Sequence, residues 1–455
     1  MQPEVEVLGQ DELHAIHSAS VEVLERVGVA VKHPDALRLL SEAGCWVEDA
    51  STVRIPYHVV ERSLAACVPV ATLYGRGGHP PLKVGGRRVY FGTQGWALNV
   101  HDWRTGEYRS AGTQDLVEAA RLAEALPNVD FFMPPGGLTD VPPEVEDRHQ
   151  WRISLEHTGK HIVNQAYGAE GVRDAVRIAA ALAGGEARLK REPFISVFTC
   201  IDSPLLVSFN VADVVMETAR QGLPLSLDSG PMCGANAPAT LAAVLVMTNA
   251  ETLAYITLAK LANPELALIY TSWARPFDMK VGGPSLGGPE FGLLRVATTQ
   301  LARYYRLPSG GGVFCTDSKT EDAQMGAEKM STALLAALAG TNMMYGMSMI
   351  EGNRTVSLAT MLIEDDFAGH IKRVMRGIHV DDDTLGVEVI RKVGPEGQYL
   401  GEEHTRTHYR REMWIPSMRD RSIGLEAWVA AGSPDIATRA RQLLPRILQQ
   451  HDLAE

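Results

Sequence analysis

The chain has 455 residues, 45% of them hydrophobic, with 43 basic and 55 acidic side chains for a net charge of −12. That is a folded chain with a sizeable core, not a fibrous or disordered one, and its acidic excess argues against nucleic acid as a partner. Five scattered cysteines with no CxxC pair, no leader-like N-terminus and no apolar run near the roughly 20 residues of a membrane span lead us to expect a cytoplasmic protein without membrane association.

Residues 11–27 repeat apolar side chains at helical spacing (Leu13, Ile16, Val23, Leu24, Val27), and Gly28 stops them. A short helix follows over 34–43, and 53–100 reads as short strands and hairpins punctuated by glycine. From residue 89 the pattern alternates short apolar strands with longer amphipathic helices. Strands are expected at 89–100, 129–134, 161–166, 194–200, 223–228, 266–272, 308–314 and 342–349. Helices are expected at 115–126, 145–157, 171–183, 211–221, 239–261, 290–305, 323–339 and 358–376. Eight such units over about 290 residues predict an α/β fold, a (β/α)8 TIM-type barrel. The competing doubly wound sheet would carry a Gly-rich phosphate loop, and neither GxGxxG nor GxxxxGK[ST] occurs. Beyond the barrel, Asp381 to Asp383 would cap a helix over 383–393, 404–418 is dense in Arg, His and aromatics, and a last helix spans 434–450. The expected division is an N-terminal helical and hairpin extension over 1–88, the barrel over 89–380, and a C-terminal helical extension over 381–455. The long apolar helix at 239–261 could be core or a subunit interface.

A barrel of this kind builds its active site at the C-terminal ends of its strands. Those ends carry Gln94, Trp96, Tyr167, Phe198, Asp228, Trp273, Phe314, Tyr345 and Glu351. The recurring aromatics suit a methylated ammonium ion, drawn to the π face while its methyl groups make apolar contact; packing at the barrel mouth is the alternative. Few basic residues fall there, unlike a phosphate-binding mouth. The run from Ser309 through Gly310, Gly311 and Gly312 could let a ligand approach bare backbone, or could form a tight rim. His157 and His161 have i,i+4 spacing, but Gly159 ends the helix between them, so they should diverge; His404 and His408 repeat the spacing. No metal site is expected. Glu364, Asp365 and Asp366 are read as negative charge at a helix start, leaving Glu351 as the better acid–base candidate. Cys200 and Cys315 lie near strand ends without an activating motif.

Ordered matches over nearly the whole chain then resemble one family. They include 16–28 (IHSASVEVLERVG), 73–76 (LYGR), 158–161 (TGKH), 203–205 (SPL), 230–241 (GPMCGANAPATL), 249–251 (NAE), 301–308 (LARYYRLP), 316–319 (TDSK), 322–324 (DAQ) and 404–405 (HT) with Arg410 and Glu412. The chain is similar to the trimethylamine methyltransferase superfamily. The resemblance implies a (β/α)8 barrel that hands a methyl group from a methylated amine to the cobalt(I) of a separate corrinoid protein, with no tightly bound cofactor of its own. It also implies a homo-oligomer. The region near 309–319, where pyrrolysine belongs in the trimethylamine enzymes, holds only standard residues, so the likeness is to the non-pyrrolysine branch and its quaternary amines. Tyr345 stands where related betaine enzymes carry a His, so glycine betaine itself is not carried over as substrate. The expected pocket is Trp96, Phe198, Trp273, Phe314 and Tyr345, with Gln94, Asp228 and Glu351 as polar contacts, the last two in catalytic roles. Arg275 or Arg354 would anchor a substrate carboxylate. Gly311 and Gly312 are candidates for close approach to the corrinoid. The alternatives are a metal-dependent lyase or hydrolase, or a non-catalytic binder of methylated amines.

Overall fold

Eight short apolar segments pair in parallel and close on themselves, and the computed structural model describes them within residues 2–49, 51–95 and 97–450. The barrel strands are β1 (Tyr90–Thr93), β2 (Phe131–Phe132), β3 (His161–Asn164), β4 (Ile195–Ile201), β5 (Leu225–Ser229), β6 (Leu268–Ser272), β7 (Ser309–Gly312) and β8 (Met343–Met347). Each pairs with the next, and β8 pairs with β1. The helices after them are α1 (Thr113–Ala125), α2 (Glu146–His157), α3 (Gly168–Ala183), α4 (Phe209–Gln221), α5 (Leu241–Ala262), α6 (Pro289–Tyr304), α7 (Ala323–Ala339) and α8 (Leu358–Met375). This is the expected (β/α)8 barrel. Side-chain caps start several helices: Thr240 accepts from the Ala243 N–H (3.3 Å), Asp322 from Met325 (2.8 Å) and Ser357 from Thr360 (3.1 Å).

The strands alternate inward and outward side chains. Phe131, Met133, Val163, Phe198, Ile269, Met343 and Tyr345 form one buried cluster with Ala71, Leu73, Leu82 and Val84. The latter four come from a hairpin, Ala71–Leu73 against Leu82–Val84. It plugs the N-terminal end of the barrel, where Tyr74 O meets His161 Nδ1 at 2.8 Å. Ahead of the hairpin, helices Gln10–Arg26, Pro34–Glu42 and Tyr57–Ala65 pack against α5. That explains why α5 is apolar on every side: it is a core helix, covered on one face by the barrel and on the other by this extension.

Three expectations are corrected. The strand expected at 89–100 breaks after Thr93. Gly95 packs against Pro134 O, leaving 2.9 Å for a Cβ, and the chain resumes as Asn99–His101 in a separate sheet with Tyr108–Ser110 and Thr355–Val356. Glu364, Asp365 and Asp366 lie inside α8, not at its start, and each is buried on a different partner. Glu364 pairs with Lys329 (2.5 Å), Asp365 accepts from the Asn128 N–H (2.8 Å), and Asp366 accepts from the Ser417 N–H (2.6 Å). The helix expected over 383–393 is two, Asp382–Leu385 and Val387–Val393, because Gly386 turns the chain at φ 62°.

Candidate active site

At the C-terminal end of the barrel, β5 turns the Asp228 carboxyl inward, where it is only 3% exposed. The Tyr345 hydroxyl, from β8 across the barrel, donates to Asp228 Oδ1 at 3.1 Å. Burial pushes this carboxyl up to about 6, against the pull of the Arg295 charge, the Tyr345 hydroxyl and the Arg275 charge. It is therefore ionised at neutral pH and protonated only in mild acid.

Aromatic rings pack on Tyr345, the hydrogen-bond partner of this acid. Phe198 meets Tyr345 edge-on with ring centroids 5.7 Å apart, and Trp273 lies nearly parallel to Tyr345 at 6.4 Å and 19°. Trp273 is in turn held edge-on against Phe291 of α6 at 5.7 Å. The indole lies directly over Gly312: a Cβ there would sit 1.6 Å from Trp273 Cζ3. Three of the five aromatics expected in the pocket thus form one cluster centred on Tyr345, whose hydroxyl meets the buried carboxyl of Asp228.

The other expected residues divide. Phe314 is turned away from the mouth, fully buried between the barrel and its helices, 5.8 Å from Phe91. The reason is local. Strand β7 ends at Gly312, and Val313 and Phe314 both donate to the single acceptor Tyr345 O (2.8 and 3.4 Å), a bulge that slips the inward–outward alternation by one residue. Gly311 likewise faces outward, with the Arg295 guanidinium lying against it, 3.4 Å from where a Cβ would stand. Gly312 is covered by the Trp273 indole. Neither glycine offers the bare, open backbone that close approach of a cofactor was expected to use. Trp96 lies outside the described residues.

Gln94 accepts from Asn353 Nδ2 at 3.1 Å, which ties the end of β1 to the loop after β8. On that loop Glu351 has φ 57°, and its carboxylate accepts from the Thr355 hydroxyl at 2.6 Å, a bond within the loop itself. Arg354 is exposed on the same loop. Arg275 is half-buried and donates to Gly230 O (2.8 Å) and Trp273 O (3.1 Å), and its charge acts on Asp228. Of the two candidate anchors, Arg275 is therefore the one at the site.

Two further groups lie beside Asp228: Arg295, which was not singled out, and Cys200, which was set aside for want of an activating motif. Arg295 of α6 is 1% exposed, stacks over Phe291 at 4.6 Å and donates to Ala274 O, while its Nε and Nη1 have no partner among the described residues. The glycines of β7 make the room for it, and a charged residue within the apolar pattern of 290–305 was the available signal. Cys200, inward on β4, is open to solvent although the barrel walls enclose it. Its thiol is pushed up by burial and by the Asp228 charge, so it stays protonated. A cleft of about 420 Å³ beside it is lined by Gln165, Tyr167, Thr199, Asn210 and Val211. Around the mouth Leu98, Met279 and Val281 are exposed.

The histidine pairs are engaged elsewhere. His161 points to the base of the barrel between Tyr74 O and Ser196 Oγ (both 2.8 Å), and burial lowers it to about 4. His404 and His408 do share a helix face, with ring centroids 4.4 Å apart, and both meet Asp383.

Residues 1–454 match the profile of the family described as Trimethylamine methyltransferase (MTTB). The chain belongs to the trimethylamine methyltransferase family. Trimethylamine methyltransferase MttB of Desulfitobacterium hafniense (strain DSM 10664 / DCB-2) is 35% identical over 97% of this chain and 89% of its own length. MttB of Methanosarcina barkeri is 34% identical over 99% and 92%. Glycine betaine methyltransferase of Desulfitobacterium hafniense (strain Y51) is 32% identical over 92% and 88%. The solved Methanosarcina barkeri monomethylamine methyltransferase (MtmB) superposes with a TM-score of 0.57 at 12% identity, covering 98% of this chain and 88% of that one, which shows a shared fold. This family member is accordingly a methyltransferase.

Proposed function

We propose that the protein removes a methyl group from a quaternary methylated amine and passes it to the cobalt(I) of a corrinoid carried by a separate protein. The observation that carries this reading is the buried Asp228 carboxyl bonded to Tyr345, a tyrosine on which Phe198 and Trp273 pack. The aromatic faces and the carboxylate attract a fixed positive charge without needing a proton on it. The reduced corrinoid supplies the nucleophile, and the rest of the work belongs to this chain. The cluster orients the ammonium with one methyl group toward the open end of the barrel, and the barrel walls exclude water from it. The N–CH3 bond breaks with its electron pair remaining on nitrogen, so the product is a neutral tertiary amine. That product is held more weakly by Asp228 than the cation was, which favours its departure.

For a substrate with a carboxylate, Arg275 is the anchor this reading selects. The exposed rim of Leu98, Met279 and Val281 supports docking of a protein-borne methyl acceptor at the mouth. Five unpaired cysteines support a cytoplasmic setting, and we take the working form to be a homo-oligomer. The test is to follow the cobalt(I) absorbance of a reduced corrinoid protein while quaternary and tertiary methylamines are added singly. Loss of the band with one quaternary amine is the expected result. No conversion with any amine that calorimetry shows to bind would defeat the proposal.

A further inference from the structure

Arg295 is a buried cation whose own contacts do not neutralise it. From α6 its Nη2 donates to Ala274 O, while Nε and Nη1 meet no acceptor among the described residues, and it makes no ion pair there. A guanidinium keeps its proton in a protein, so burial this complete calls for a counter-charge. Strand β7 gives it room. Arg295 Cδ and Nη1 lie 3.3 and 3.4 Å from where a Cβ of Gly311 would stand, and Gly310 and Gly312 flank that position. At β7, then, only backbone stands between the guanidinium and the barrel interior. Asp228 pairs in register with Thr271, and Thr271 with Gly310. Two strand spacings of about 4.8 Å put this thin wall about 10 Å from Asp228.

The groups that face Asp228 are the Cys200 thiol from β4, the Thr271 hydroxyl from β6, the Tyr345 hydroxyl from β8, Arg275 beyond β6 and Arg295 from α6. Arg295 in turn faces Asp228, Tyr345, Cys315 and Arg275. Burial keeps both thiols and the phenol protonated. Asp228 is therefore the one negative charge among the groups that face Arg295. Arg275 is half-buried and shares its charge with solvent, whereas Arg295 is 1% exposed and cannot. Arg295 also reaches the aromatic cluster. Ala274, whose carbonyl it holds, follows Trp273 directly, and Phe291, on which it stacks at 4.6 Å, meets Trp273 edge-on at 5.7 Å. Both contacts hold the indole where it lies 19° from parallel with Tyr345.

We infer that Arg295 is a positioning residue of the methyl-transfer site: it clamps Trp273 against Tyr345 and, across the side-chain-free strand β7, is the counter-charge that keeps Asp228 a carboxylate. The inference rests on the reading of Asp228 as the group that meets the ammonium. Infrared titration of the full chain, with the spectrum of Asp228→Asn subtracted, follows this carboxyl with neither amine nor corrinoid present. The midpoint should stand at about 6 in the wild type and rise by about one pH unit in Arg295→Met, the pull of a charge about 10 Å away through protein. Arg295→Lys keeps the charge and should restore the wild-type midpoint. Lysine lacks the flat, forked head, so the clamp is lost, and calorimetry at pH 8 should show tetramethylammonium bound about tenfold more weakly by the lysine variant. Should Arg295→Met fail to fold, Gly311→Val pushes the guanidinium off the strand and should raise the midpoint in the same direction. The inference is overturned by a midpoint that stays put in the methionine variant, by one that moves as far in the lysine variant, or by tetramethylammonium binding that the lysine substitution leaves unchanged. A wild-type chain that binds no quaternary amine would defeat the functional reading instead, and the titration would still decide the role of the charge.

Discussion

Replacing Asp228 by Asn removes a charge from the barrel while keeping its shape, and should move stability and binding in opposite directions. The Asp228 carboxyl stands at about 6, against an ordinary 3.8. Its neutral form is the one the fold prefers, so its contribution to stability is complete below 3.8 and is lost as the pH rises through about 6. The loss amounts to about 3 kcal/mol at about 1.4 kcal/mol per pH unit. Asparagine carries no such cost, though it gives up part of the Tyr345 hydrogen bond, about 1 kcal/mol. The variant should therefore be about 2 kcal/mol more stable than the wild type at pH 8 in urea unfolding, and about 1 kcal/mol less stable below pH 4. Binding should go the other way. A carboxylate and an ammonium about 5 Å apart attract by about 3 kcal/mol at an effective dielectric near 20, so KM for a quaternary amine should rise on the order of 100-fold. A variant that is less stable than wild type at pH 8, or whose KM moves less than threefold, would refute the reasoning.

Wild-type kcat/KM should rise with pH through about 6 as Asp228 ionises, and Tyr345→Phe, lacking the hydroxyl that favours the ionised form, should move that limb one to two pH units higher. Gly312→Ala forces the Trp273 indole aside, so it should weaken amine binding about as much as Trp273→Ala, and the double variant should be no worse than Trp273→Ala alone; calorimetric titration of tetramethylammonium decides it. Lys329 is fully buried and donates to Phe314 O (2.8 Å), Met349 O and Glu364. Lys329→Met leaves Glu364 buried without its partner and should cost about 3–5 kcal/mol in urea unfolding, part of which Lys329→Met with Glu364→Leu recovers. Equal stability of the single and double variants would count against that pairing.

The barrel was legible because its signal is long-range and repeated: eight strand–helix alternations survive any one misplaced boundary. Asp228, Phe198, Trp273 and Tyr345 were legible because strand ends point to the mouth. Phe314 was not, because alternation along 308–314 puts it inward with Gly310 and Gly312, and the bulge that reverses it depends on Tyr345 O, 31 residues later in the chain. Arg295 was missed because its signal, a charge within the apolar pattern of 290–305, gains meaning only from the glycines of β7 that make room for it. The acids of α8 looked like a helix start because their partners, Lys329, Asn128 and Ser417, are distant in sequence.

The hairpin at the foot of the barrel makes it a cup and not a tube. In a cup the occupant that sits deepest must enter first and leave last. A small amine resting on Asp228 would have to be in place before a protein-sized methyl acceptor covers the rim, and its demethylated remainder would be trapped until that acceptor lifts away. An acceptor already seated would lock the amine out, so an excess of acceptor should slow turnover competitively against the amine.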